Sequence, residues 1–131
     1  MADATFSRRL RLLEARQFKA VFDDPPFRVS TRELLLLSRP NGLSHPRLGL
    51  VISKKSCRLA VQRNRVKRLV RESFRQRQTC LAGLDIIVLS RRGIAELDNH
   101  TLAQLVSQSW TRLLKRSQTA AQGNSDASSA S

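Results

Sequence analysis

Positively charged side chains are concentrated in one segment of the chain, residues 54–77. The segment contains ten Lys or Arg residues against a single acid, Glu72, and therefore carries a net charge of +9. Across the chain Arg outnumbers Lys by 19 to 5, and a guanidinium group can bind phosphate in a bidentate manner and stack on bases. One carboxylate cannot neutralise this charge within a helix. We therefore interpret the segment as a nucleic-acid-binding surface rather than a solvated helix face.

The core of this segment, residues 60–76, is predicted to form an amphipathic helix. At 100° per residue its mostly apolar side covers an arc of about 140°. The residues of that arc are Val66, Leu69, Val70, Ser73 and Phe74. The arc can pack on a sheet or on another helix, and the cations then face outward.

The sequence contains no arrangement of residues that predicts catalysis or metal binding by the protein. There is no P-loop and no Gly-rich dinucleotide turn, and we interpret His45 and His100 as structural. Cys57 and Cys80 are separated by a spacing that fits no zinc site, so we expect two reduced thiols that serve in packing. No cofactor is expected.

Length and composition predict one domain over residues 1–116 and a disordered tail over residues 117–131. The tail consists mostly of Ser, Ala, Gln, Gly and Asn, which cannot bury enough apolar surface to order themselves. The chain has no apolar run long enough for a spanning helix or a secretory signal. We therefore expect a cytoplasmic protein that does not bind membranes.

Hydrophobic periodicity predicts seven elements in the order αβββαβα. The predicted helices cover residues 14–22, residues 60–76 and a last segment capped by Asp98 or Asn99, and the predicted strands cover residues 27–31, 33–39, 47–53 and 84–90. The run from Leu34 to Leu37 indicates a strand buried on both faces. Trp110 lies among the apolar positions of the last helix and is expected in the core.

Three stretches of the sequence resemble the bacterial ribonuclease P protein family. They are RQFKAVF (16–22), RLGLVISKK (47–55) and AVQRNRVKRLVRESFR (60–75), and the resemblance covers roughly residues 8–115. The most specific part is a strand that ends in Lys54-Lys55 and is followed by Arg63-Asn64-Arg65 at the start of a basic helix. The resemblance implies an α+β fold, a ribosomal-protein-like two-layer α/β sandwich whose four-stranded sheet contains a left-handed β-α-β crossover.

The resemblance also implies a function and its partners. Proteins of this family bind a catalytic RNA, one-to-one, and help it to remove the 5′ leader of precursor tRNA. Hydrolysis is carried out by the RNA with its bound Mg²⁺, and no cofactor or obligate protein partner is implied for the protein. The implied RNA-subunit-binding residues are Lys54, Lys55, Arg58, Arg63, Asn64, Arg65, Lys67, Arg68 and Arg71. The leader is expected in a cleft between the first helix and the sheet, at Phe18, Phe22 and Ser53.

Two points stay open at this stage. Phe18 and Phe22 share one helix face and either belong to the core or line the cleft, and some relatives have an aromatic residue where this chain has Leu37. A ribosomal or RNA-assembly protein without enzymatic role would share the charge and the sandwich, but not the spacing from Lys54-Lys55 to the Arg-Asn-Arg motif. A DNA-binding module is disfavoured because no helix-turn-helix pattern accompanies the basic helix.

Overall fold

The computed structural model describes Arg11 and residues 15–130, with side-chain surroundings given as far as residue 118. Its elements are α1 (Ala15–Asp23), β1 (Phe27–Ser30), β2 (Leu34–Pro40), β3 (Arg47–Val51), α2 (Ala60–Gln76), β4 (Leu84–Ser90) and α3 (Asn99–Ala130), with a 3-10 turn at Ile94–Glu96. The predicted order is confirmed. The bounds of α2 and β4 agree with the prediction, and β3 ends two residues earlier than predicted.

The four strands form one mixed sheet in the order β1-β2-β4-β3. β2 pairs antiparallel with β1 and with β4, and β3 pairs parallel with β4. Parallel neighbours need a long connection, and here it is α2. The sheet therefore contains the expected β-α-β crossover, formed by β3, α2 and β4.

One face of the sheet carries the main core, against α2 and α3. Because side chains alternate along a strand, Leu36, Leu48, Ile86 and Val88 all point to this face. α2 contributes its buried residues Val66, Val70 and Phe74, which lie in the arc predicted from the sequence.

Trp110 of α3 lies inside this core, as expected. Its indole Nε1 donates a hydrogen bond of 2.8 Å to Ser73 Oγ, which satisfies the buried polar group. Its ring meets Phe74 edge to face, with the ring centroids 5.8 Å apart. These contacts fix α3 against α2.

α1 packs on the opposite face of the sheet. Val21 of α1 forms a second buried cluster with Leu37 and Ile87, and Phe18 packs against it. The guanidinium of Arg39 adds a hydrogen bond of 3.0 Å from Nη1 to the carbonyl oxygen of Ala20. The sandwich thus gains a partial third layer, since the central strands are apolar on both faces.

The two cysteines differ in their surroundings. Cys57 is buried in the main core, and burial raises the pKa of its thiol. Cys80 is exposed, so the prediction that it serves in packing is wrong. It lies in the turn between α2 and β4, where Leu81 is the buried apolar residue.

α3 begins with a side-chain cap and continues beyond the predicted domain. Asp98 Oδ1 accepts a hydrogen bond of 2.7 Å from the backbone N–H of Thr101, and this bond lowers the pKa of the Asp98 carboxyl. The helix extends to Ala130, so the predicted boundary at residue 116 falls inside it. Disorder of residues 117–131 in solution stays a prediction. Among the described residues, no helix has the length and apolar character that a membrane span requires.

Candidate nucleic-acid interface

The cations predicted to bind RNA lie on the turn before α2 and on the outer side of that helix. We call this surface the basic face; its residues are Lys54, Lys55, Arg58, Arg63, Asn64, Arg65, Lys67, Arg68 and Arg71. Lys54, Lys55, Arg58, Asn64 and Arg68 are exposed, and the other four are half-buried. Because α2 buries its apolar arc in the core, the opposite side presents these groups to solvent.

In the Arg-Asn-Arg motif, the side chain of Arg63 is hydrogen-bonded within the protein, whereas that of Asn64 is exposed to solvent. Nη1 of Arg63 donates hydrogen bonds to the carbonyl oxygens of Cys57, at 2.9 Å, and Arg58, at 3.0 Å. These bonds close the turn between β3 and α2 and fix the position of Arg58. Asn64, between the two arginines, is exposed. Arg63 therefore has a structural role in the turn before α2.

Arg65 connects α2 to the start of α3. Its Nε donates to Gln62 Oε1 at 2.8 Å, its Nη1 to Asn99 Oδ1 at 2.8 Å, and its Nη2 to the carbonyl oxygen of Ala95 at 3.2 Å. All three nitrogens are therefore used within the protein. The positive charge remains on the surface, while the orientation of the guanidinium group is fixed.

Arg71 of the basic face has a second cation, Arg11, as a neighbour. Burial lowers the pKa of Arg71 from its ordinary value, and the neighbouring charge of Arg11 lowers it further. Arg11 lies beside β3, where its backbone forms a parallel bridge with Leu48. Neighbouring cations repel each other, and a phosphate group bound between them would relieve that repulsion.

Glu72 of α2 and Asp85 of β4 are engaged in ion pairs. Glu72 accepts from Arg75 Nη2 at 2.6 Å within α2, so it does not neutralise the exposed cations. The buried Asp85 is held by Arg47, whose Nη2 lies 2.7 Å from Oδ2, and by Asn41 Nδ2 at 2.9 Å from Oδ1. Within the described part of the chain, no group of three or more His, Cys, Asp or Glu residues could hold a metal ion.

The two aromatic residues proposed for the leader cleft are placed differently. Phe18 is half-buried and packs on the Val21, Leu37 and Ile87 cluster, whereas Phe22 is 41% exposed. Phe18 therefore contributes to packing, and Phe22 offers an open ring surface. Leu37 lies beneath α1 and is buried.

Ser53 follows β3 and belongs to a cluster of three serines. Its backbone N–H donates to Ser90 Oγ at 3.0 Å, and its Oγ lies 3.0 Å from Ser56 Oγ. Ser56 and Ser90 are also hydrogen-bonded to each other. Val51, the last residue of β3, is exposed on the same face as Leu89, which packs on the α1 cluster. The three serines therefore lie just beyond the end of β3, next to the partly exposed apolar surface that Val51 and Leu89 form.

Comparisons with known proteins agree with this architecture. The family model for ribonuclease P matches residues 6–114. The ribonuclease P protein component of Pseudomonas aeruginosa is 57% identical over 115 residues, covering 88% of this chain and 85% of that protein. The component from Pseudomonas putida strain F1 is 56% identical over 115 residues, covering 88% and 86%.

Solved structures of related proteins share the fold. A mutant RNase P protein of Staphylococcus aureus with defective mRNA degradation activity has a TM-score of 0.70 at 26% identity, covering 85% of this chain and 90% of that one. The RNase P protein of Thermotoga maritima has a TM-score of 0.61 at 31% identity, covering 75% and 96%. This chain belongs to the ribonuclease P protein family.

Proposed function

We propose that this chain binds the catalytic RNA of ribonuclease P, one-to-one, and helps it to remove the 5′ leader of precursor tRNA. The observation that carries the proposal is the placement of two different surfaces on the two faces of one sheet. α2, with the basic face, packs on one side, and α1, with the open ring of Phe22, packs on the other. Two RNA strands can therefore be held at once.

The basic face has the properties that binding to structured RNA requires. It combines exposed lysines and arginines with arginines fixed by the protein itself, and Glu72 is paired with Arg75. Neutralisation of phosphates by such groups supplies most of the affinity of proteins for nucleic acid. We assign assembly with the catalytic RNA to this face.

The expected cleft between α1 and the sheet carries side chains that suit a single strand. An exposed aromatic ring at Phe22, the half-buried Phe18 and the Ser53 hydroxyl offer stacking and hydrogen bonding without a deep pocket. Single-stranded RNA is bound through stacking of its bases on side-chain planes. We assign the 5′ leader of precursor tRNA to this cleft.

In the proposed holoenzyme the RNA carries out the hydrolysis, with Mg²⁺ bound to the RNA. The protein positions the substrate and reduces the phosphate repulsion between two RNAs, which lowers the Mg²⁺ concentration that they require. The named relatives are ribonuclease P protein components, which favours this proposal over a ribosomal or assembly protein.

The test is reconstitution with the ribonuclease P RNA from the same genome. Purified, RNA-free protein should not cleave precursor tRNA, and the RNA with protein should cleave it at low Mg²⁺, where the RNA alone is slow. The double variant Lys54→Gln with Lys55→Gln should require more protein for the same rate. Cleavage by the RNA-free protein, or no stimulation of the RNA, would contradict the proposal.

A further inference from the structure

A groove of about 550 Å³ lies between α2 and α3, at the edge of the basic face. Leu69 and Ser73 contribute from α2, and Asn99, Ala103 and Ser107 contribute from α3. The α3 side chains are small, so they leave the space between the two helices unfilled at this level. The volume lies within the range of pockets that bind small ligands.

Hydrogen bonds connect the two walls of the groove at both of its ends. At one end Arg65 Nη1 donates to Asn99 Oδ1 at 2.8 Å, and at the other Arg77 Nη2 donates to Ser107 Oγ at 2.7 Å. The two bonds lie at least two helical turns apart along each wall, so they fix the position of one wall relative to the other along the groove. The groove is therefore preformed.

The lining of the groove is positively charged at its edges and apolar in the middle. Arg65, Arg68 and Arg77 all line it, and the acid that lines it, Glu72, is paired with Arg75. Leu69 and Ala103 supply the apolar surface between the two ends. Arg65 and Arg68 also belong to the basic face, so the groove opens next to the surface assigned to the catalytic RNA.

We propose that this groove binds one unpaired nucleotide of the RNA partner, an inference that rests on the proposed function. The phosphate is held by Arg68, whose charge is exposed, and the base lies against Leu69 and Ala103. Arg65 adds a guanidinium group of fixed orientation, and unpaired bases in RNA stack on such planes. A duplex cannot place a base in a groove of this size, so the site selects an unpaired position.

The test fills the groove without changing charge. Ala103→Phe places a ring in the groove, and Gln108→Phe places the same ring at an exposed position of α3 outside it. We expect Ala103→Phe to weaken binding to the ribonuclease P RNA from the same genome about 10-fold, within the range typical of losing a stacked base. Gln108→Phe should bind like the unmodified chain, and the slope of affinity against salt should not change in either variant.

Chemical probing of the same complexes gives a second readout. The unmodified chain should protect one unpaired nucleotide that becomes reactive in the Ala103→Phe complex at saturating protein. Equal affinity of Ala103→Phe and the unmodified chain, or protection that is unchanged by the substitution, would overturn the proposal. If Ala103→Phe unfolds at a lower temperature, the smaller Ala103→Leu replaces it under the same criteria.

The experiment distinguishes the groove from the proposed function. The double variant at Lys54 and Lys55 lies outside the groove and tests the basic face alone. If that variant loses affinity and Ala103→Phe does not, only the groove assignment fails. If neither loses affinity for the RNA, the assignment of the turn that carries Lys54 and Lys55 to the interface fails as well.

Discussion

Arg65 combines a surface charge with a fixed position between two helices. Its three hydrogen bonds reach Gln62, Asn99 and Ala95, so Arg65→Ala should affect both folding and RNA binding. We expect the free energy of unfolding to fall by about 1–3 kcal/mol and RNA affinity to fall by a similar amount. Thermal unfolding and RNA titration of the same preparation measure the two effects.

Arg68 is the matched control for this prediction. It is exposed, and no hydrogen bond or ion pair is found for it within the part of the chain that the structure describes. Arg68→Ala should therefore weaken RNA binding and leave the melting temperature unchanged. An equal loss of stability in both variants would show that the bonds of Arg65 contribute nothing to the fold.

Phe18 and Phe22 allow packing and leader binding to be separated. Phe22→Ala removes a largely exposed ring, so stability should hold while precursor tRNA binding weakens by about 1–3 kcal/mol, a typical stacking loss. Affinity for mature tRNA, which lacks the leader, should not change. Phe18→Ala should instead lower the free energy of unfolding by about 2 kcal/mol, below the usual cost for a fully buried ring.

The measurements are thermal unfolding and the ratio of precursor to mature tRNA affinity. If the Phe22→Ala protein has an unchanged ratio of precursor to mature tRNA affinity, Phe22 does not contact the leader. A Phe18→Ala protein with normal stability and a lower ratio would place Phe18 among the leader contacts instead of the packing residues.

Arg63 stabilises the turn between β3 and α2. Its two hydrogen bonds to backbone carbonyls bring residues 57 and 58 against the start of α2, and the N–H of Cys57 donates to Ser53 O at 2.9 Å. Arg63→Ala should speed hydrogen exchange at the Cys57 amide by about 10-fold, the equivalent of roughly 1.4 kcal/mol. The exposed Asn64, as Asn64→Ala, should leave that exchange unchanged.

Periodicity predicted the elements of this chain better than their connections. α2 and β4 match their predicted bounds because each presents an uninterrupted apolar pattern. The inward bonds of Arg65 were not predictable, since a helical pattern places this residue among solvent-facing cations. Arg63 lies within the predicted apolar arc, but the pattern does not identify the partners of its bonds. Apart from Gln62, their partners lie outside α2, and only the folded structure brings them together. The groove beside α3 escaped prediction for the same reason.

At the scale of the whole molecule, strand order was the feature least accessible from sequence. Consecutive strands usually lie side by side, yet β4 lies between β2 and β3 in this sheet. The expectation of a crossover came from the family resemblance and not from periodicity. This order leaves β3 at an edge of the sheet. The turn that carries Lys54 and Lys55 therefore leads from the edge of the sheet to α2.

The net charge of the chain predicts how strongly RNA binding depends on salt concentration. The chain carries +14, of which +9 lies in residues 54–77. If about six to ten phosphates are neutralised, the logarithm of the binding constant for the catalytic RNA should fall with the logarithm of salt at a slope of roughly −5 to −8, since each neutralised phosphate contributes about 0.7–0.9. Titrations at several salt concentrations and constant Mg²⁺ measure this slope.

The double variant Lys54→Gln with Lys55→Gln measures how much these two cations contribute to the slope. Removing two exposed cations should make it shallower by about 1.4–1.8, because two fewer phosphates are neutralised and fewer counterions are released. Folding should be unaffected, since both side chains are exposed. A slope shallower than about −2 for the unmodified chain would mean that the cations on α2 are a solvated surface. An unchanged slope in the variant would remove the turn from the interface and leave α2 as its centre.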